Sequence, residues 1–107
     1  MPNITFYISA AMPPEATLAR LSDDCMQLCT KVLAASKQNV HVIYVETLPG
    51  HGLPVFVEVQ YRLEHFRSPC VMERFMQGLQ ESILQHTALQ ARIRCFGHEA
   101  SRIHALH

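Results

Sequence analysis

Apolar and polar residues alternate from Asn3 to Ser9, with Ile4, Phe6 and Ile8 on one side of an extended chain and Asn3, Thr5 and Tyr7 on the other. That period of two predicts a half-buried strand. Pro13 and Pro14 interrupt it and suit the first turn of a helix. Leu18, Leu21, Cys25, Leu28 and Val32 then recur at steps of three and four, which predicts one apolar stripe on a helix over 14–35. Val40–Glu46 (VHVIYVE) reads as a second strand, apolar at nearly every position. Leu48–Pro54 (LPGHGLP) holds two glycines and two prolines and reads as a loop.

The second half repeats this order. Val55, Val57, Val59 and Tyr61 alternate with Phe56, Glu58, Gln60 and Arg62, the cleanest strand pattern in the chain. Ser68-Pro69 supplies an N-cap followed by proline at the first helical position. The stripe Val71, Phe75, Leu79 and Ile83, with Met72 and Met76 beside it, carries that helix to His86 or Thr87. Ala91–Phe96 (ARIRCF) predicts a fourth strand, and the tail from Gly97 leaves room for one more short strand around Ile103. The expected architecture is α+β in two layers: a single domain over 1–107 with halves at about 2–47 and 54–97, ordered β-α-β, loop, β-α-β. Two helices cover one face of a four-stranded sheet, so the apolar strands argue for a second subunit against the other face.

Composition narrows the chemistry. A length of 107 residues allows one modest core, and with 49% hydrophobic and 17% charged residues the chain is expected to fold rather than stay disordered. The formal charge is zero, which removes the usual basis for binding nucleic acid or an acidic membrane surface. No apolar run nears the roughly 18 residues that span a bilayer, and MPNITFYIS lacks the basic start of a secretion signal, so a cytoplasmic location is expected. Cys25 and Cys29 share a helical face, but no second pair matches their spacing; Cys25, Cys29, Cys70 and Cys95 read as reduced structural residues. The seven histidines form no ligand array, so neither a metal nor another cofactor is implied.

Pro2 is the candidate catalytic residue. Methionine aminopeptidases remove an initiator Met that precedes a small residue, and here that would expose a prolyl secondary amine at the start of a strand. An α-amino group titrates near 8, and burial lowers this, giving a usable base or nucleophile near neutrality. While Met1 remains attached, the same nitrogen is a tertiary amide with no basic lone pair. Arg92 and Arg94 share one face of their strand and are candidates for gripping a carboxylate. Glu58 has two readings, as a site residue or as the ion-pair partner of one of these arginines. His41 is a further site candidate, and His51 and Lys37 are weaker ones.

MPNITFYIS, NVHVIYVE, PVFVEV and ARIRCFGHEASRIHAL, in that order and anchored by Pro2, resemble the tautomerase superfamily that includes 4-oxalocrotonate tautomerase and macrophage migration inhibitory factor. The resemblance covers almost the whole chain. It implies a homotrimer of β-α-β-β-α-β subunits around an inner barrel of sheets, with sites between subunits and a prolyl amine at the floor of each. It also implies tautomerisation of small 2-oxo or enol carboxylates. The chain departs from the pattern at three places: Met12 stands near the position of a usual arginine, His41 replaces another, and Arg92 and Arg94 occupy a strand where cytokine-like members carry Tyr and Asn. Two other readings stay open, a tautomerase-fold oligomer without catalysis and a ferredoxin-like binding module.

Overall fold

The alternations of the sequence become strands in a computed structural model describing residues 1–107: β1 (Asn3–Ile8), β2 (His41–Glu46), β3 (Val55–Arg62) and β4 (Ala91–His98). Helix α1 (Glu15–Lys31) joins β1 to β2, and α2 (Pro69–Thr87) joins β3 to β4. The sheet order is β2-β1-β3-β4. Strands β1 and β2 are parallel, as are β3 and β4, while β1 and β3 run antiparallel at the centre. Each half is therefore a closed βαβ unit whose two strands touch. A ferredoxin-like module instead has a split βαβ, so that alternative is set aside.

Both helices lie on one face. Ile4, Phe6 and Ile8 of β1 and Val55, Val57 and Val59 of β3 are buried beneath Leu21, Cys25, Cys29, Phe75, Leu79 and Ile83. Each large side chain removed from water in this way contributes roughly 1.5–3 kcal/mol. Edge strand β2 is tied in by Tyr44, whose ring stacks on Phe6 with centroids 4.9 Å apart. Its hydroxyl donates to the Leu18 carbonyl at 3.1 Å and bonds Ser22 Oγ at 2.8 Å.

Helix α1 stops four residues short of the expected Ala35. Ala34 takes a left-handed conformation (φ 54°), and the Ala35 N–H turns back to the Cys29 carbonyl at 3.0 Å. The apolar stripe continues past this point, since Leu33 is fully buried without being helical. Helix α2 follows the sequence pattern, with Ser68 Oγ accepting from the Val71 N–H at 3.3 Å. The short strand expected around Ile103 does not form within the chain. A 3-10 turn (Ala100–Arg102) leads into an extended Ile103 with no strand partner. No helix is long and apolar enough to cross a membrane.

The outer surfaces of the helices are joined at one polar point. Asp24 Oδ2 on α1 accepts from the buried Ser82 Oγ at 2.7 Å and bonds His86 Nε2 at 2.9 Å, both on α2. The Ser82 hydroxyl, outweighing burial and helped by His86, holds the Asp24 carboxyl below its ordinary 3.8. Because the folded value is depressed, this stabilisation is complete above the unfolded value and disappears as pH falls through the folded one. Asp24→Ala should cost about 1 kcal/mol at neutral pH, a low figure because the carboxylate is partly in water. Thermal unfolding should show a loss of roughly 4–8 °C at pH 7 that shrinks in acid, at a pH below the ordinary carboxyl value of 3.8. An equal loss at both pH values would mean that packing, not the carboxylate bonds, joins the helices.

Candidate functional site

Pro2 enters the sheet just before β1. Its carbonyl accepts from the His41 N–H at 3.1 Å, which fixes it against β2. Side chains alternate along β1, so Pro2 falls on the same face as Ile4 and Phe6, and it is fully buried. Continuing the β1–β3 register by one step sets Pro2 level with Tyr61, which pairs with Gly97 of β4. A Cβ at Gly97 would stand 2.9 Å from Tyr61 Cζ and 2.5 Å from Leu63 Cδ2. The missing side chain is what lets Tyr61 lie flat at this end of the sheet.

A recess of about 290 Å³ opens beside the N-terminus, lined by Met1, Ser36, Asn39, Arg62, Phe66 and Arg67 among others. The two arginines in it differ. Arg67 is half-buried; its Nε donates to the Leu33 carbonyl at 2.9 Å and its Nη1 to the Arg62 carbonyl at 2.8 Å. The Arg62 guanidinium is exposed and makes no hydrogen bond or ion pair. Burial, and then the charges of Arg62 and Arg67, push the Met1 ammonium below its ordinary 8.0. Burial raises the thiols of Cys29 to about 12 and Cys95 to about 11. Cys25 moves the same way for the same reason. These three are therefore protonated packing residues with no nucleophilic role, while Cys70 is exposed.

The other predicted residues lie on the sheet face that no helix covers. Arg92 and Arg94, with His51, Leu53, Phe56 and Phe96, line an open basin of about 830 Å³. Phe56 stacks on Tyr7 with centroids 5.9 Å apart, and Phe96 remains 45% exposed. Neither arginine has a hydrogen-bond or ion-pair partner. Glu58 stands directly across from Arg94 in the β3–β4 register, yet it forms no ion pair with it and accepts from Gln60 Nε2 at 2.9 Å. Gln60 Oε1 in turn bonds His98 Nε2, giving a carboxylate–amide–imidazole chain along this face. His41 is also on the open face, opposite Asn3.

Within one chain these groups do not converge on Pro2. Arg94 is across from Glu58, which is across from Thr5. That puts it about 10 Å along β1 and about 10 Å sideways from Pro2, on the opposite face of the sheet. Arg92 is two residues farther. The cations that do reach the N-terminal recess, Arg62 and Arg67, were not among the sequence candidates. Arg62 ends the clearest alternating strand, and its place beside Met1 follows only once β3 is known to run antiparallel to β1.

No protein-family model and no curated protein matches the sequence. Solved structures match it closely in shape. Macrophage migration inhibitory factor of Toxoplasma gondii superposes with a TM-score of 0.78 at 12% identity, over 97% of this chain and 96% of its own. A fused 4-oxalocrotonate tautomerase, an asymmetric trimer, gives 0.80 at 15% identity over 97% and 92%. Malonate semialdehyde decarboxylase gives 0.75 at 12% identity over 96% and 89%. At that sequence distance the shared property is the backbone arrangement: this chain has the fold of the tautomerase and macrophage migration inhibitory factor structures.

Proposed function

We propose that the chain is a tautomerase-type isomerase in which Pro2, freed of Met1, is the general base acting on a small 2-oxo or enol carboxylate. The observation that carries this reading is the placement of Pro2, fully buried at the head of a central strand and next in the chain to Met1, which lines a recess with Arg62 and Arg67. Burial disfavours the charged form of an amine, so a secondary amine freed at the buried Pro2 titrates below the ordinary α-amino value and serves as a base. It removes the enol O–H proton, and the resulting prolinium returns that proton to carbon, leaving the ketone and the free amine. The balance closes with no cofactor.

The uncovered sheet face supports a homotrimer. Ile43, Val45, Tyr7, Phe56 and Phe96 share it with unpaired Arg92 and Arg94, and Ile43 is 50% exposed. In a trimer closed over this face, a neighbouring copy brings Arg92 and Arg94 to the Pro2 recess, where they meet the substrate carboxylate. His41 and Glu58 complete the polar lining. One observation favours the non-catalytic alternative: without that neighbour, Pro2 and these arginines stay on opposite faces.

Protein made without an N-terminal tag should lose Met1 by intact mass and ketonise phenylenolpyruvate. A form retaining Met1, and Pro2→Ala, should both be inactive. Untagged protein that keeps Met1 would defeat the enzyme reading.

Sedimentation should give a trimer at micromolar concentration; a compact single chain would remove the interfacial site. Arg94→Ala should lower the rate roughly 30- to 1000-fold, the effect of losing one charged carboxylate contact. Mixing Pro2→Ala with Arg94→Ala and refolding them together should restore part of the activity, because mixed trimers contain interfaces with both residues intact. No recovery would place the two residues in a single chain's site or outside catalysis.

A further inference from the structure

Met1 and Pro2 lead into a strand that lies inside the sheet rather than at its edge. The Pro2 carbonyl accepts from the His41 N–H at 3.1 Å, and Asn3, the next residue, pairs with His41 of β2 on one side and with Gln60 of β3 on the other. The Pro2 ring is fully buried, and Met1 is half-buried in the recess with Arg62, Arg67 and Ile103. A terminus tied down in this way resists proteolysis, because an exopeptidase must draw the scissile bond and the residue after it into its own cleft. Here that means extracting Pro2 from the core and undoing the first pairs of β1, an opening far costlier than the fraying of a loose end. The groups that close over the bond also come late in the chain. Tyr61, level with Pro2, and Arg62 end β3, Arg67 follows, and Ile103 belongs to the tail. At about 5–20 residues per second, roughly 3–12 s separate synthesis of Met1 from synthesis of Arg62.

We propose that folding closes the Met1–Pro2 bond to processing: an aminopeptidase reaches it only before β1 is captured between β2 and β3, and the N-terminus a molecule has at that moment is kept for its folded life. The cleavage adds water across the amide, so that Met1 leaves with the new carboxylate and the Pro2 nitrogen takes the proton as a secondary amine. This rests on the reading of Pro2 as a residue to be freed, in a chain that starts at Met1, and it adds when the freeing can occur. A folded population then holds two fixed classes of molecule, one with a tertiary amide at Pro2 and one with an amine, in a ratio set during synthesis. No later encounter with the aminopeptidase converts the first class into the second while β1 stays seated.

The experiment uses folded, Met1-bearing protein made in cells whose methionine aminopeptidase is inhibited, beside a synthetic peptide of residues 1–9, MPNITFYIS. Both are incubated with purified methionine aminopeptidase, and intact mass follows the loss of Met1, a readout that needs no catalysis by the protein itself. The peptide should be processed at least about 100-fold faster than the folded chain, as expected where cleavage waits on a rarely populated open form. Protein diluted from denaturant into buffer containing the enzyme should lose Met1 in a fraction that grows with enzyme concentration. Ile4 and Val57 are fully buried at the β1–β3 seam. Ile4→Val should speed cleavage of the folded protein about 2- to 10-fold, the factor by which loss of one buried methyl raises the unfolded fraction. Val57→Ala, where it folds, should speed it further, and Arg74→Ala on the surface of α2 should not change it. A folded parent processed within about threefold of the peptide overturns the proposal and leaves Pro2 available as a base. Protection that Ile4→Val does not weaken, although denaturant melts show it destabilised, overturns the capture of β1 as its cause. A peptide that keeps Met1 overturns the proposal and the enzyme reading together.

Discussion

The antiparallel junction between β1 and β3 decides where every candidate group can stand. Each half of the chain is a parallel βαβ unit that could be built separately, and the hydrogen bonds between Asn3–Ile8 and Val55–Gln60 weld the two into one sheet. Because this pairing is antiparallel, the start of β1 lies beside the end of β3. Pro2 therefore stands level with Tyr61, and the Met1 amine has the Arg62 charge beside it. Shifting β3 by a single residue would turn Val55, Val57 and Val59 out of the core. The burial of those valines thus holds the register that sets the amine's electrostatic surroundings.

The same junction leaves the sheet with one covered and one open face. On the covered side the alternation of β1 and β3 is satisfied by apolar contact with α1 and α2. On the open side, aromatic rings are interleaved with Arg92, Arg94, Glu58, Gln60 and His98. This mixture is neither a finished core nor an ordinary solvated surface. Its rings stay partly exposed and its arginines have no anionic partner, since the chain's own Glu58 is engaged with Gln60.

Most of the fold was legible in the residues because the local signals agree with one another. The period of two in Val55–Arg62 and the Ser68-Pro69 cap both match their elements closely. The misjudged boundary of α1 has a clear cause: the apolar stripe runs on through Val32 and Leu33, and only the left-handed turn at Ala34, a residue with no special preference for it, ends the helix. The strand expected at Ile103 does not form: a 3-10 turn over Ala100–Arg102 leads into an extended Ile103 that pairs with no strand. The site was less legible. Alternation tells that Arg92 and Arg94 share a face of their strand but not which faces meet. Arg62 and Arg67 matter through a strand direction and two backbone hydrogen bonds that no sequence pattern encodes.

The junction also carries a consequence for how the chain reaches this structure. Contacts inside each βαβ half span a few tens of residues, whereas Ile8 finds Val55 and Ile4 finds Val59 only after a loop of about 50 residues closes. The halves can acquire helix and paired strands early, and the central seam comes last, after the larger loop entropy has been met. Until then the inner edges of β1 and β3 are bare strands of Ile, Phe and Val, the kind of surface that pairs with the wrong chain. These late contacts are also the ones that bring Arg62 beside Met1, so a chain halted before that step would hold most of its secondary structure without the N-terminal recess.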